Sequence, residues 1–345
     1  MGDCNHQAQF ERSKLYRILD ANLDRAREGL RVIEEWCRFG LDDIQLSKEC
    51  KDLRQEIGQW HSAEIRAARD TPGDAGTELS HTQELQRLSV QQVLAANFCR
   101  TQEALRVLEE YGKIHSSDMG VAFKQMRYRV YTLESTLIPY QRQHLLKSSR
   151  LYLVTSPTDN LVAIVEAALR GGLTLVQYRD KDANDRVRLE NASKLCQLCH
   201  DYGALFIVND RVDLALTVGA DGVHLGQEDL PIALARQLLG SQYLIGCSTH
   251  CPEDLHCAIQ EGADYIGVGP IYETPTKEGR RAVGLDYARY AAEHATVPWF
   301  AIGGIDSKNL PDVLNAKARR IAVVRAIMQA EDPTLMTQHF LSKLA

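Results

Sequence analysis

Long apolar runs are missing from this sequence: none approaches the ~20 residues that a membrane-crossing helix needs, so a helical membrane protein is not expected. An excess of positive charge is missing too. The formal net charge is -6 at pH 7, which argues against a general nucleic-acid or membrane-surface binder, ordinarily a basic protein. A disulfide framework is also lacking, because the nine cysteines are odd in number and scattered; this suits a reducing cytoplasm. The start Met1-Gly2-Asp3-Cys4-Asn5-His6 is polar and lacks the charged-then-apolar pattern of a signal peptide. Cys196-x-x-Cys199-His200 resembles half a zinc site, yet no second cysteine pair stands at finger spacing. Small apolar residues on a helix are the expectation there.

The remaining composition is that of a globular protein, 44% hydrophobic and 25% charged over 345 residues. That length allows two domains, or one barrel with an addition. Two rhythms divide it. Residues 1–145 read as an all-α bundle, with Leu19, Leu23, Ala26, Leu30, Ile33 and Cys37 recurring at three- and four-residue steps. This part also repeats itself: residues 21–36 realign with residues 96–111, and nine of the sixteen positions are identical. Lys51-x-x-Arg54 and Lys124-x-x-Arg127 follow at similar distances, so a duplicated helical pair is expected. The repeated Asn, Arg and Glu residues either line a polar site between the copies or form surface ion ladders, Glu28/Arg31/Glu35 and Glu103/Arg106/Glu110. The ladders are the simpler expectation. Between the repeats, Arg69–Thr77 is too rich in Gly, Pro and Asp for a helix. The segment Pro139 to Arg150 is expected to end the helical part.

Residues 146–345 alternate short apolar runs with helical stretches. The expected strands are 151–155, 174–179, 205–209, 222–225, 243–247, 265–269, 299–302 and 321–324. Eight strand–helix units predict a closed (β/α)8 TIM barrel, whose site lies at the C-terminal strand ends. Polar outliers fall at those ends. Gln177, Arg179 and Lys181 share one face at strand 2, and Asn209 with Asp210 follow strand 3. Gln227, Glu228 and Asp229 follow strand 4, and Ser248 ends strand 5. Thr274–Lys277 follow strand 6, Gly303-Gly304 end strand 7 and Arg325 ends strand 8. Cations beside carboxylates able to hold a divalent metal suit a diphosphate-bearing substrate. Phosphorylated small molecules are the expected ligands.

The same residues carry a resemblance. In order stand Gln-x-Arg-x-Lys from Gln177, Val-Asn-Asp from Val208 and Gly-Val-His-Leu-Gly-Gln-x-Asp from Gly222. Then come Gly-x-Ser-x-His from Gly246, Gly-Pro-Ile-Tyr-x-Thr-x-Thr-Lys from Gly269 and Ile-Gly-Gly-Ile from Ile302. The set resembles the thiamine-phosphate synthases, from about Leu151 to the C-terminus. That family joins 4-amino-5-hydroxymethyl-2-methylpyrimidine diphosphate to hydroxyethylthiazole phosphate and releases diphosphate. The resemblance implies that Gln177, Tyr178, Arg179, Asp180, Lys181, Asn209, Ser248 and Lys277 hold the pyrimidine diphosphate. It implies Mg2+ on Asp210 and Asp229, and the thiazole phosphate on Thr274, Pro275, Thr276 and Gly304. Arg179, Lys181 and Lys277 would stabilise the leaving anion as the pyrimidine methylene ionises. The thiazole nitrogen has no proton to lose, so no strong general base is required.

The chain departs from the family at Val324-Arg325, where a Val-Ser is frequent; Arg325 could give the thiazole phosphate a charged fork or turn into an ion pair. Val324 and Arg325 are therefore second-rank site candidates. His224 is expected to be structural or to pack against substrate. Two rivals remain: a thiazole tautomerase of the same barrel family, and a non-catalytic sensor of thiamine precursors. Asp210, Asp229 and Lys181 together favour the synthase. The expected partners are the two small-molecule substrates, without nucleic acid or membrane, and a homo-oligomer is compatible with a barrel of this type. The helical part resembles an extension found on some thiamine-phosphate synthases and thought to belong to the same pathway. No reaction follows from its residues.

Overall fold

A helix that must hide one stripe needs apolar residues at three- and four-residue steps, and α1 (Gly2–Glu35) has them. Leu19, Leu23, Ala26, Leu30 and Ile33 are fully buried, as is Cys37 in the π-helical turn Trp36–Gly40 that follows. The computed structural model of the chain describes residues 2–71, 73, 87, 89–274 and 281–345, with side chains from Glu11 onward. The chain falls into two units, Met1–Ile138 and Pro139–Ala345. Among the described residues no helix is long and apolar enough to cross a membrane.

In the first unit α1 is followed by α2 (Ile44–Gln59), α3 (Ala63–Ala67), α4 (Val90–His115) and α5 (Ser117–Ser148). Asp43, Ser62 and Ser89 cap α2, α3 and α4 by accepting from Leu46, Ile65 and Gln92 N–H. The internal repeat places its two copies on α1 and α4, which pack against each other. They approach closely at Gly29, where a Cβ would lie 2.3 Å from Thr101 Oγ1.

The repeated charges do both less and more than form surface ladders. Arg31–Glu35 and Arg106–Glu110 are i,i+4 pairs on the surface. Glu34 and Glu109, however, are buried, and each pairs across helices with the arginine of the repeated Lys-x-x-Arg: Glu34 with Arg54, Glu109 with Arg127. Asn22 and Asn97 bond back to their own helices, at Ile18 O and Val93 O. Of the expected loop Arg69–Thr77, α3 ends before it at Ala67, Arg69 pairs with Asp20 and Asp24, and Asp70 with Arg17. Pro72 and residues 74–77 lie outside the described residues.

The second unit is the barrel: β1 (Leu151–Val154), β2 (Leu175–Tyr178), β3 (Leu205–Asn209), β4 (Gly222–Leu225), β5 (Leu244–Thr249), β6 (Tyr265–Val268), β7 (Trp299–Ile302) and β8 (Ile321–Val323). All pair in parallel in chain order, and β8 returns to β1 with Leu151 opposite Ile321. The (β/α)8 expectation is met. Outward residues such as Val176, Phe206, Val223 and Ile266 pack under the helices. Inward Tyr152, Leu175, Ile207, Leu244, Tyr265, Phe300 and Ala322 fill the interior. Gly246 makes this filling feasible, because a Cβ there would sit 2.1 Å from the Tyr265 ring.

The helical part ends within the expected segment Pro139 to Arg150: α5 runs through Pro139 and stops at Ser148, three residues before β1. A proline inside a helix forfeits one hydrogen bond, and here the helix tail is held by barrel residues. Leu145 and Leu146 pack with the interior cluster. Arg142 Nε donates to Asp221 at 2.8 Å and Gln143 Nε2 to Asp264 at 2.5 Å. Each of these aspartates also accepts from the neighbouring strand's backbone: Asp221 from Phe206 N, Asp264 from Ile245 N. Cys196 and Cys199 are buried in the barrel's outer core, as expected of small apolar residues, while His200 turns to Asp221 at 3.0 Å.

Candidate active site

The strand period of two decides what faces the C-terminal mouth of the barrel. A cavity of about 700 Å³ opens there, and Gln177, Arg179 and Lys181 line it from the end of β2. Asn209, Asp210, Gln227, Glu228, Asp229, Ser248, Thr274, Gly303, Gly304, Val324 and Arg325 line it from the other strand ends. Side chains far apart in sequence are thus brought to one chamber. Two candidates are not. Tyr178 is out of phase with Gln177 and Arg179, and its ring is buried in the outer core. Asp180 is out of phase too: its carboxylate accepts from Asp182 N and Ala183 N at 3.2 and 3.0 Å, folding the turn that follows β2. The side chains of the run 177–181 alternate, three lining the chamber and two turned from it. Pro275, Thr276 and Lys277 lie outside the described residues.

The carboxylates sit side by side. Asp210 adopts a left-handed backbone, φ 62°, a conformation Asp tolerates better than most residues. Its carboxylate reaches Lys181 Nζ at 3.0 Å. Asp229 Oδ2 accepts from Gly226 N at 2.6 Å. Burial first, and then its hydrogen-bonding neighbour Asp229, push the Asp210 carboxyl above its ordinary range, with Lys181 partly offsetting this. Two half-desolvated carboxylates sharing a site with an ammonium want further positive charge. Among the described residues no group of three or more His, Cys, Asp or Glu side chains could hold a metal by itself. A cation here would complete its shell with ligand oxygens, as Mg2+ does in phosphate sites.

On the opposite side, β7 ends in Gly303 and Gly304, both with positive φ, 106° and 66°. A Cβ at Gly303 would lie 2.5 Å from Pro270 Cα, and one at Gly304 2.8 Å from Tyr272 Cβ. Only glycine lets the chain turn here against the loop after β6. Arg325 is exposed at the cavity wall and pairs with no carboxylate among the described residues, so the ion-pair alternative for it is not seen there.

Residues 151–327 match the family described as thiamine monophosphate synthase, and residues 17–136 match the ThiD2 family. The thiamine-phosphate synthase of Nostoc punctiforme is 68% identical over 330 residues, covering 96% of this chain and 94% of its own. That of Synechocystis is 59% identical over 337 residues, covering 98% of each. The chain belongs to the thiamine-phosphate synthase family. A solved thiamine phosphate pyrophosphorylase from Pyrococcus furiosus, 38% identical, covers 59% of this chain and 96% of its own length, with a TM-score of 0.53.

Two chamber residues escaped sequence reasoning, Tyr152 and Phe300; His250, which closes the Gly-x-Ser-x-His motif, lines the cavity with them. Tyr152 and Phe300 belong to apolar strands, and only their inward parity, shared with Gln177 and His224, marks them. His250 Nδ1 lies 2.5 Å from Gly269 O, tying the end of β5 to that of β6.

Proposed function

We infer that this chain is a transferase, a thiamine-phosphate synthase that moves the pyrimidinylmethyl group of 4-amino-5-hydroxymethyl-2-methylpyrimidine diphosphate onto hydroxyethylthiazole phosphate and releases diphosphate. The observation that carries this reading is the carboxylate pair Asp210 and Asp229 beside Lys181 in the chamber of a chain from that family. A tautomerase would need no such pair, which sets that reading aside.

The bond from the pyrimidine methylene to the diphosphate oxygen must ionise, and the electron-rich aminopyrimidine spreads the resulting positive charge. Arg179 and Lys181, on one rim of the chamber, take up the charge growing on the leaving diphosphate. Lys277 joins them by its place in the motif. Asp210 and Asp229 would hold Mg2+, which supplies further positive charge for the same anion. The thiazole nitrogen brings its own electron pair, so no residue needs to remove a proton. The turn at Gly303-Gly304, with Thr274 and Arg325, offers the thiazole phosphate a site of close backbone approach. The described cysteines are free, which fits work in the cytoplasm.

The test is diphosphate release by the full chain from the two substrates, with and without Mg2+. Release matched by thiamine phosphate, abolished by chelation and restored by Mg2+, is expected. Asp210→Asn and Asp229→Asn should each lower turnover by about a hundredfold or more and raise the Mg2+ requirement, at unchanged melting temperature. No condensation by the full chain would remove the reading; normal Mg2+ dependence in both variants would remove the metal assignment.

A further inference from the structure

At the floor of the chamber, five polar groups from five strands form one continuous hydrogen-bonded chain. Gln177 Nε2 donates to Tyr152 OH at 2.6 Å, Tyr152 OH meets Tyr265 OH at 2.8 Å, and Tyr265 OH meets His224 Nδ1 at 3.2 Å. His224 Nε2 then meets Ser248 Oγ at 2.9 Å. Tyr152 and Tyr265 are buried, at 2% and 0% exposure, as are Gln177 and His224. The two ends, Gln177 and Ser248, both line the cavity.

The polarity of such a chain is not free. Each phenol has one proton to give. With the Gln177 amide donating to Tyr152 and each phenol proton kept within the chain, Tyr152 donates to Tyr265 and Tyr265 to His224 Nδ1. His224 is then the neutral tautomer with its proton on Nε2, donating to Ser248 Oγ. The two ends then present to the chamber the Gln177 carbonyl as an acceptor and the Ser248 hydroxyl as a donor. Reversing one link reverses all of them and exchanges the roles of the ends.

We propose that Tyr152, Tyr265 and His224 are positioning residues that fix this polarity, so that Gln177 accepts and Ser248 donates and the chamber selects a ring bearing an amino group beside a ring nitrogen. The inference rests on the substrate proposed above and adds how its pyrimidine is told from the 4-oxo analogue. That analogue carries a carbonyl where the substrate carries N–H, and it would set acceptor against acceptor. A buried polar group left unpaired is what makes hydrogen-bonding sites selective. The aromatic scaffold is separate from the polar chain, since Tyr152, Tyr265 and Phe300 stack edge to face with centroids 5.3–5.9 Å apart. Tyrosine-to-phenylalanine changes therefore remove the links and keep the packing.

The experiment has two arms on the full-length enzyme. Nitrogen-15 NMR of the histidines is expected to show His224 as the neutral Nε2–H tautomer, and Tyr265→Phe to lose that preference. In steady-state kinetics, Tyr152→Phe and Tyr265→Phe should each raise KM for the pyrimidine diphosphate by about tenfold or more. The KM for the thiazole phosphate should stay within about twofold, and discrimination against the 4-oxo analogue should fall. An Nδ1–H tautomer in the unmodified enzyme overturns the proposal, even if a variant does not fold. So does an unchanged pyrimidine KM in folded variants. In either case normal synthase activity of the unmodified enzyme leaves the proposed function standing, and absence of that activity leaves the tautomer measurement to judge the chain.

Discussion

Arg325 is the side chain at the chamber whose chemistry differs most from the family's usual residue. A guanidinium offers a phosphate two parallel charged hydrogen bonds where a serine offers one neutral bond. If Arg325 reaches the thiazole phosphate, Arg325→Ala should weaken use of that substrate by about 1.5–3 kcal/mol, read as a higher KM for the thiazole phosphate. Arg325→Ser should recover part of the loss. An unchanged KM in Arg325→Ala would show that the guanidinium stays in solvent. Residues of this kind were legible in the sequence because polar groups recurring at the ends of apolar strands point to the mouth of the barrel. Gln177, Arg179, Lys181, Asp210 and Asp229 stood out in the same way, whereas Tyr178 and Asp180 entered through the family resemblance and the strand period turns their side chains away. Tyr152 and Tyr265 were illegible for the opposite reason. A tyrosine in an apolar strand reads as core, and only its neighbours across the barrel reveal what its hydroxyl meets.

At the scale of elements, the strands could be found because burial on both faces makes them continuously apolar. What precedes them could not. Asp221 and Asp264 look like turn residues, yet each bonds the backbone of the adjacent strand and the tail of α5. Asp221 also holds His200. Burial pulls the His200 imidazole down, but the bonds to Asp221 and Cys196 outweigh it and raise it from 6.5 to about 10. A histidine whose folded value is raised stabilises the fold fully below its unfolded value and loses that contribution as pH rises through the folded one. The barrel's melting temperature should therefore fall as pH is raised from about 6.5 through 10. After discounting for the partial exposure of His200, the loss is about 1 kcal/mol, or roughly 2–4 °C for a unit of this size. His200→Gln should start lower and show a flatter profile over that range; a variant with the unmodified profile would place the titration elsewhere. In the helical unit the repeat was plain, but not the depth of its charges. A Glu at i+3 from an Arg reads as a surface ladder until an arginine from another helix covers it, as Arg54 covers Glu34 and Arg127 covers Glu109.

For the molecule as a whole, the change of rhythm near residue 145 marked two units, while the helix running across the change hid where the second one begins. The segment Pro139 to Arg150 could be read as the end of the helical part, but nothing local to it says that the helix's last turns are held from below by a barrel. Those turns carry Arg142, Gln143, Leu145 and Leu146. A chain beginning near His144 would drop the first two, leaving Asp264 without its Gln143 donor and Asp221 without Arg142, with His200 as its remaining ion-pair partner. Each such loss costs about 1–3 kcal/mol. A chain beginning at Pro139 keeps them all, together with the leucines that pack with the barrel interior. The expectation is that residues 139–345 fold with native-like circular dichroism and retain synthase activity at the same Mg2+ dependence, and that residues 144–345 melt markedly lower. The helical unit has its own buried stripe and its own capped helices, so a core of its own accounts for its stability. Steady-state kinetics on the soluble, monodisperse longer fragment decides the matter. A folded but inactive 139–345 would mean that residues of the helical unit take part in the chemistry, and the barrel chamber described above would then be only part of the site.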